Sequence, residues 1–315
     1  EWLRHRSYRL IDIADAAASL SPDLPPDDRA IATETAALVA GIEGKLTRRR
    51  REQKMESGAF RGMEVVVYRG FVGADDVAKV RVRVMEVPEL PGDSRIPFWD
   101  TAQANLRRHA ALDIVGVEVE LRIGTFSAKE VTDGHGFARF SLPVPRLKVG
   151  WHDAYAVTTP IEDGESAAGV GQVVKPAPKA PFLVVSDIDD TILLTGLTEG
   201  VAMVVRTVLR DVDQRSAIPG MAALYRGLVR GPATRAAARR PEPVFFYVST
   251  GSWSFYPMLQ QFTRLRGFPR GPMFLTDWGP TERYLRRSGP EHKRTAIRRL
   301  FEGVARNIPG LATTT

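Results

Sequence analysis

The sequence predicts a chain in three parts: a helical N-terminal segment, a β-sandwich domain, and an α/β unit built on a parallel sheet. Two observations predict this. The spacing of apolar residues changes from a helical period to a period of two near Phe60. Beyond Pro181 it changes again, to short continuous apolar runs alternating with amphipathic stretches.

Residues 1–58 read as helical. "YRLIDIADAAASL" comes first, then a Pro-Pro-Asp-Asp start at Pro25 leads into the Ala-rich "ATETAALVAGIEGKL". Residues 59–172 carry "EVVVYRGFV", "AKVRVRVMEV", "VGVEVELRI", "GFARFSLPV" and "WHDAYAVTT". These are alternating or β-branched runs separated by Gly, Pro and Asp, and "TDGHGF" is a turn between two of them. Strands of this kind suggest a sandwich, with a small barrel as the alternative. The five histidines are scattered, none at metal-ligand spacing from another, so this domain reads as binding or scaffolding.

"VVKPAPKAP", residues 173–181, reads as a stiff Pro-rich linker. The α/β unit occupies 182–315. Its strands are "FLVVS", "VFFYVS" and "MFLTD". Its helices are "EGVAMVVRTVLRDV", "GMAALYRGLVRG", "SFYPMLQQFTRLRG" and "GPEHKRTAIRRLFEG". Continuous apolar strands in βαβα order imply a parallel sheet covered on both faces, and such sheets bind ligands at the carboxyl ends of their strands.

Composition narrows the partners. The 315 residues are 43% hydrophobic, ordinary for a globular protein, and contain no cysteine, which excludes disulfides and thiolate metal sites. No apolar run is long enough to span a bilayer and no leader opens the chain, so the expectation is cytoplasmic, peripheral where it meets a membrane. The formal charge is +7, with arginine greatly outnumbering lysine, which suits anionic partners. The densest run, "TRRRREQK", follows a helical stretch and reads as its solvated end. Without aromatic platforms beside it, nucleic acid is not the expected partner.

The chemistry concentrates in "PFLVVSDIDDTILLTG", which starts at Pro181. Asp187 and Asp189 lie two apart at a strand end, so both carboxylates leave on one side. One can attack phosphorus while the other gives a proton to the leaving group, and Thr191 can hold the turn. A calcium loop does not fit, because Ile192 stands where glycine is needed and Thr198 where glutamate is needed.

"SDIDDTI" resembles the first motif of the haloacid dehalogenase superfamily of phosphohydrolases. "AIPGMAALYRGL", "FFYVSTGSWSFYPMLQQFTRLRGFPRGPMFLTDWG" and "EHKRTAIRRLFE" look more narrowly like the actin-patch phosphatidate phosphatase catalytic domain of bacterial relatives, which often carry a β-rich domain ahead of it. The resemblance covers Phe182 to Glu302. It implies a Rossmann-like sheet and Mg²⁺ held with Asp187 and Asp189. Asp187 becomes the nucleophile that forms an aspartyl-phosphate, and Asp189 the general acid that later activates water. Ser249, helped by Thr250 and the Gly251 backbone, would bind the phosphoryl oxygens, and Lys293 would neutralise charge. The implied substrate is a phosphate ester, with phosphatidate at a membrane surface suggested by the family. The alternative is a non-catalytic scaffold with a vestigial phosphatase fold.

The family's fourth motif, a strand ending in further acids that hold the ion, has no counterpart in these residues. After Lys293 the sequence runs to "FEGVARNIPGLATTT", with Glu302 its only acid. The expectation is a C-terminally incomplete sheet whose "FLVV" strand becomes an apolar edge, weak metal binding, and a 315-residue chain close to inactive. Electrostatics agrees. Two like charges about 4 Å apart repel by about 4 kcal/mol at an effective dielectric near 20, so Asp187 beside Asp189 opposes an incoming phosphate unless cations compensate.

Overall fold

A computed structural model describes residues 62–87, 112–160, 166–178, 182–188, 217–231 and 242–276, with a few isolated residues between and beyond them. Of the expected N-terminal helix, Arg49, Glu52 to Lys54 and Glu56 are helical and Ser57 lies in a turn; the rest of 1–58 lies outside the described residues. So does the expected helix "EGVAMVVRTVLRDV". Arg294, Ile297 and Arg298 of the last expected helix are helical.

Eight strands form the β domain: β1 (Met63–Val67), β2 (Gly70–Val72), β3 (Val77–Glu86), β4 (Glu118–Ile123), β5 (Phe126–Val131), β6 (Phe137–Pro143), β7 (Gly150–Thr158) and β8 (Ala168–Lys175). They hydrogen-bond into one continuous sheet rather than the two of a sandwich. Strand β3 is its longest member. It pairs with β6 on one edge, and with β1 and then β2 on the other. Pairing is antiparallel except between β2 and β8. Alternation dictates the interior: Val80, Val82 and Val84 of β3, Val119 and Leu121 of β4, and Phe140 of β6 share one buried cluster. The sheet therefore curves over a core of its own.

Two glycines permit that curvature. Gly169 and Gly171 of β8 pass directly over the backbone of β1. A Cβ on Gly171 would lie 2.5 Å from the Val67 carbonyl oxygen, and one on Gly169 would meet the Val65 carbonyl oxygen closer still. Gly171→Val is expected to destabilise the chain by more than about 2 kcal/mol in urea unfolding, because backbone rather than a flexible side chain would have to move.

The expected linker starts later than its sequence suggests. Val173 to Lys175 complete β8, and Val173 is wholly buried in the β-domain core. Pro176 then ends the pairing.

In the α/β unit, β9 (Leu183–Asp187), helix α1 (Met221–Arg230), β10 (Val244–Ser252), a 3₁₀ turn (Trp253–Phe255), helix α2 (Tyr256–Leu265) and β11 (Met273–Thr276) follow in order. The three strands are parallel, with β10 in the centre. Among the described residues β9 is an edge, and Leu183 to Val185 are half-buried where their β10 partners are buried. Phe245 and Tyr247 face the helices, meeting Tyr225 of α1 and Phe262 of α2. Val244 and Phe246 face the opposite way and meet Phe71 and Val174 of the β domain. Among the described residues, helices thus cover one face and the β domain the other, where the sequence suggested helices on both.

A second seam locks the two parts. Tyr68, between β1 and β2, sets its ring edge-on to Trp253 and Tyr256, with centroids 4.7 and 4.8 Å away. Arg81 lies 4.4 Å from the centre of the Trp253 ring. Arg83 donates to Asp113 Oδ1 at 2.9 and 2.7 Å and to Ser254 Oγ at 2.9 Å.

The Tyr256 hydroxyl accepts the Arg69 backbone N–H at 2.8 Å within this seam. Burial pushes its phenol up to about 12, against the opposing pull of Arg69. The folded state favours the neutral phenol, so this stabilisation is complete below the unfolded value near 10 and is lost as pH rises through 12. Phenolate absorbance and thermal melts are expected to show a late tyrosine ionisation accompanied by falling stability across that window. Tyr256→Phe should flatten the fall.

Candidate active site

Strand β9 ends at Asp187, the last residue in register with β10, opposite Val248. One residue further along β10 lies Ser249. Parallel pairing therefore brings Asp187 and Ser249 to the same carboxyl edge of the sheet, where open α/β sheets place their ligands.

The turn after Asp187 is fastened from below. The Ile188 N–H donates to the Val248 carbonyl at 3.0 Å, continuing the ladder, and also lies 3.1 Å from Asp187 Oδ1. The N–H groups of Thr191 and Ile192 both reach back to the Ile188 carbonyl, closing a single helix-like turn. Ile188 and Ile192 are wholly buried, so the apolar residues of "DIDDTI" anchor the turn while half-buried Asp187 stays accessible. Thr191 sits in that turn, half-buried.

Two supporting residues escaped the sequence reading. Ser186 Oγ donates to the Asp187 carbonyl at 2.8 Å and shares a 2.8 Å hydrogen bond with the Tyr225 hydroxyl of α1. Their only signal was a serine inside an apolar strand, whose partner 39 residues away no local pattern reveals.

Ser249 lies in a bulge. Between Val248 and Ser252, β10 advances four residues while β11 advances two, from Phe274 to Thr276. The extra length falls on Ser249 to Gly251, and bulges of this kind re-aim side chains beside sites. Ser249 is 1% exposed, and its Oγ accepts the Gly251 N–H at 2.9 Å. The Thr250 backbone runs within the bulge; its side chain lies outside what is described, as do Asp189 and Lys293.

Among the described residues no group of three acids or histidines gathers to hold a metal ion. The Asp187 carboxylate is chemically a hard oxygen donor, of the type Mg²⁺ prefers.

Residues 182–307 match the family model described as phosphatidate phosphatase APP1, catalytic domain. This phosphatidate phosphatase match begins at Phe182, immediately before β9, and takes in Asp187, Asp189, Thr191, Ser249, Thr250 and Lys293. It covers less than half of the chain, and the β domain lies outside it. Among curated proteins, none matches the chain.

Proposed function

We propose that the α/β unit is a phosphatase of the haloacid dehalogenase type that hydrolyses phosphate monoesters, phosphatidate among them, through an aspartyl-phosphate on Asp187. The observation that carries this reading is the placement of Asp187 beside Ser249 at the carboxyl edge of a parallel sheet, within the segment that matches the phosphatidate phosphatase family.

Asp187 would attack phosphorus in line. The P–O bond of the ester breaks as the carboxylate–phosphorus bond forms, and Asp189 delivers its proton to the departing oxygen. Asp189, now ionised, takes a proton from water as that water attacks the acyl phosphate, which frees inorganic phosphate and restores Asp187. Ser249 and the bulge backbone would hold the phosphoryl oxygens, and Lys293 would offset their charge. Asp187 and Asp189 would hold Mg²⁺, which supplies further charge neutralisation when bound.

No helix among the described residues is long and apolar enough to cross a membrane, so a lipid substrate would be met at the bilayer surface. Turnover of a soluble aryl phosphate and of phosphatidate in mixed micelles, across a Mg²⁺ titration, by a chain that also carries the fourth-motif acids implied by the family resemblance, tests the reading. Ser249→Ala should lower kcat/KM about 10- to 100-fold for both substrates. Activity that persists in excess chelator, or that Ser249→Ala leaves untouched, would contradict it.

A further inference from the structure

A cleft of about 510 Å³ opens at the other end of the parallel strands, between the β domain and the α/β unit. Its floor is apolar, made by Trp151 of β7, Val174 of β8, Val229 of α1 and buried Phe268. Its rim is cationic: Arg226 and Arg230 on the last turns of α1, Arg270 on the loop before β11, and Lys175 at the end of β8. Glu242 is its only acidic lining residue among the described residues.

Among the described residues, the arginine charges are not balanced by acids at ion-pair distance, although Lys175 is. Lys175 has a partner, Asp76, at 2.6 Å. Arg226 donates to the Gly267 carbonyl at 3.0 Å, a neutral group that holds the guanidinium without cancelling its charge. Arg270 lies 4.7 Å from the centre of the Trp151 ring, and Arg69 lies 5.9 Å from that same ring. Arg69 is partly buried, and its Nε is buried without a hydrogen-bond partner. Among the described residues, none of Arg226, Arg230, Arg270 and Arg69 has an acid at ion-pair distance. Arg69 and Arg270 repel each other across the Trp151 ring, and an anion held at Arg270 in the cleft would relieve the repulsion.

We infer that this cleft binds an amphipathic anion, with a phosphate or carboxylate head among the arginines and a hydrocarbon part over Trp151 and Val174. The volume suits one small ligand, and an apolar floor with a few convergent polar groups is the usual construction of such a site. A nucleic-acid track would need a basic stripe rather than one cleft with an apolar floor. Val244, at the cleft, precedes Asp187's register partner Val248 by four residues, about 13 Å along the strand at the usual rise. A ligand head held here is therefore remote from Asp187, and the inference does not rest on the phosphatase reading.

Octylphosphonate, which cannot be hydrolysed as an ester, is the probe, titrated calorimetrically into the full chain below its micelle concentration. Inorganic phosphate supplies the head alone, and octyl glucoside the tail alone. Octylphosphonate is expected to bind at least tenfold more tightly than either. The Arg226→Gln, Arg230→Gln, Arg270→Gln triple variant should lose at least tenfold in affinity with its melting temperature unchanged, and Ser249→Ala should lose none. If the triple variant fails to fold, Arg230→Gln alone, at an exposed position, should still weaken binding and reduce its salt dependence. Equal binding of inorganic phosphate, full affinity in the arginine variants, or a loss in Ser249→Ala would each overturn the assignment.

Discussion

Asp187→Asn is expected to abolish phosphomonoester turnover, by at least about a thousandfold, in a chain that also carries the fourth-motif acids implied by the family resemblance. The amide has almost the shape of the carboxylate and its Oδ1 can still accept from the Ile188 N–H, while Ile188, Ile192 and Ser186 also hold the surrounding turn. The fold should therefore survive while the nucleophile is lost. Steady-state kinetics with an unchanged thermal melt is the check. Residual turnover within tenfold of the parent would remove Asp187 from the chemistry. Asp189→Asn should also slow turnover, most with poor leaving groups, because an amide gives no proton.

The second large effect concerns the seam rather than the site. Arg83→Met is expected to cost about 3–5 kcal/mol in urea unfolding, since it strands the Asp113 carboxylate without its guanidinium and Ser254 Oγ without its donor. Burial already pushes the Asp113 carboxyl above its ordinary range, with Arg83 pulling it back only in part. In the variant that restraint is gone. An acid raised in the folded state is favoured when protonated, so the deficit of Arg83→Met should shrink as pH falls through the Asp113 transition. Replacing both partners, Arg83→Met with Asp113→Leu, should recover most of the loss. Because Arg83 spans β3 and the turn after β10, wild type should unfold in one transition for both parts.

The contrast between site and seam shows what a sequence reveals. "VFFYVS" is continuously apolar because β10 is buried on both faces, so its place in a parallel sheet was legible. Asp187 was legible as a strand end because the apolar run of β9 stops there. What covers each face was not. Phe71, Trp151 and Val174 belong to ordinary-looking β-domain strands, yet they pack on Val244, Phe246 and their neighbours; alternation tells that a side chain is buried, not against which partner. "VVKPAPKAP" looked like a linker because its prolines dominate the composition, although its two valines are buried strand residues. The single curved sheet was hidden for the same reason, since the clearance at Gly169 and Gly171 depends on β1, about a hundred residues earlier.

The covalent step is the claim on which the functional account stands. Single-turnover reaction with a phosphomonoester, acid quench, borohydride reduction and peptide mass spectrometry would locate any acyl phosphate. The account predicts that Asp187 alone is converted to homoserine, and that in labelled water one ¹⁸O per turnover appears in inorganic phosphate while the Asp187 carboxylate stays unlabelled. Conversion at another residue, phosphate release with no modification of Asp187 at any time, or ¹⁸O in the Asp187 carboxylate would contradict it.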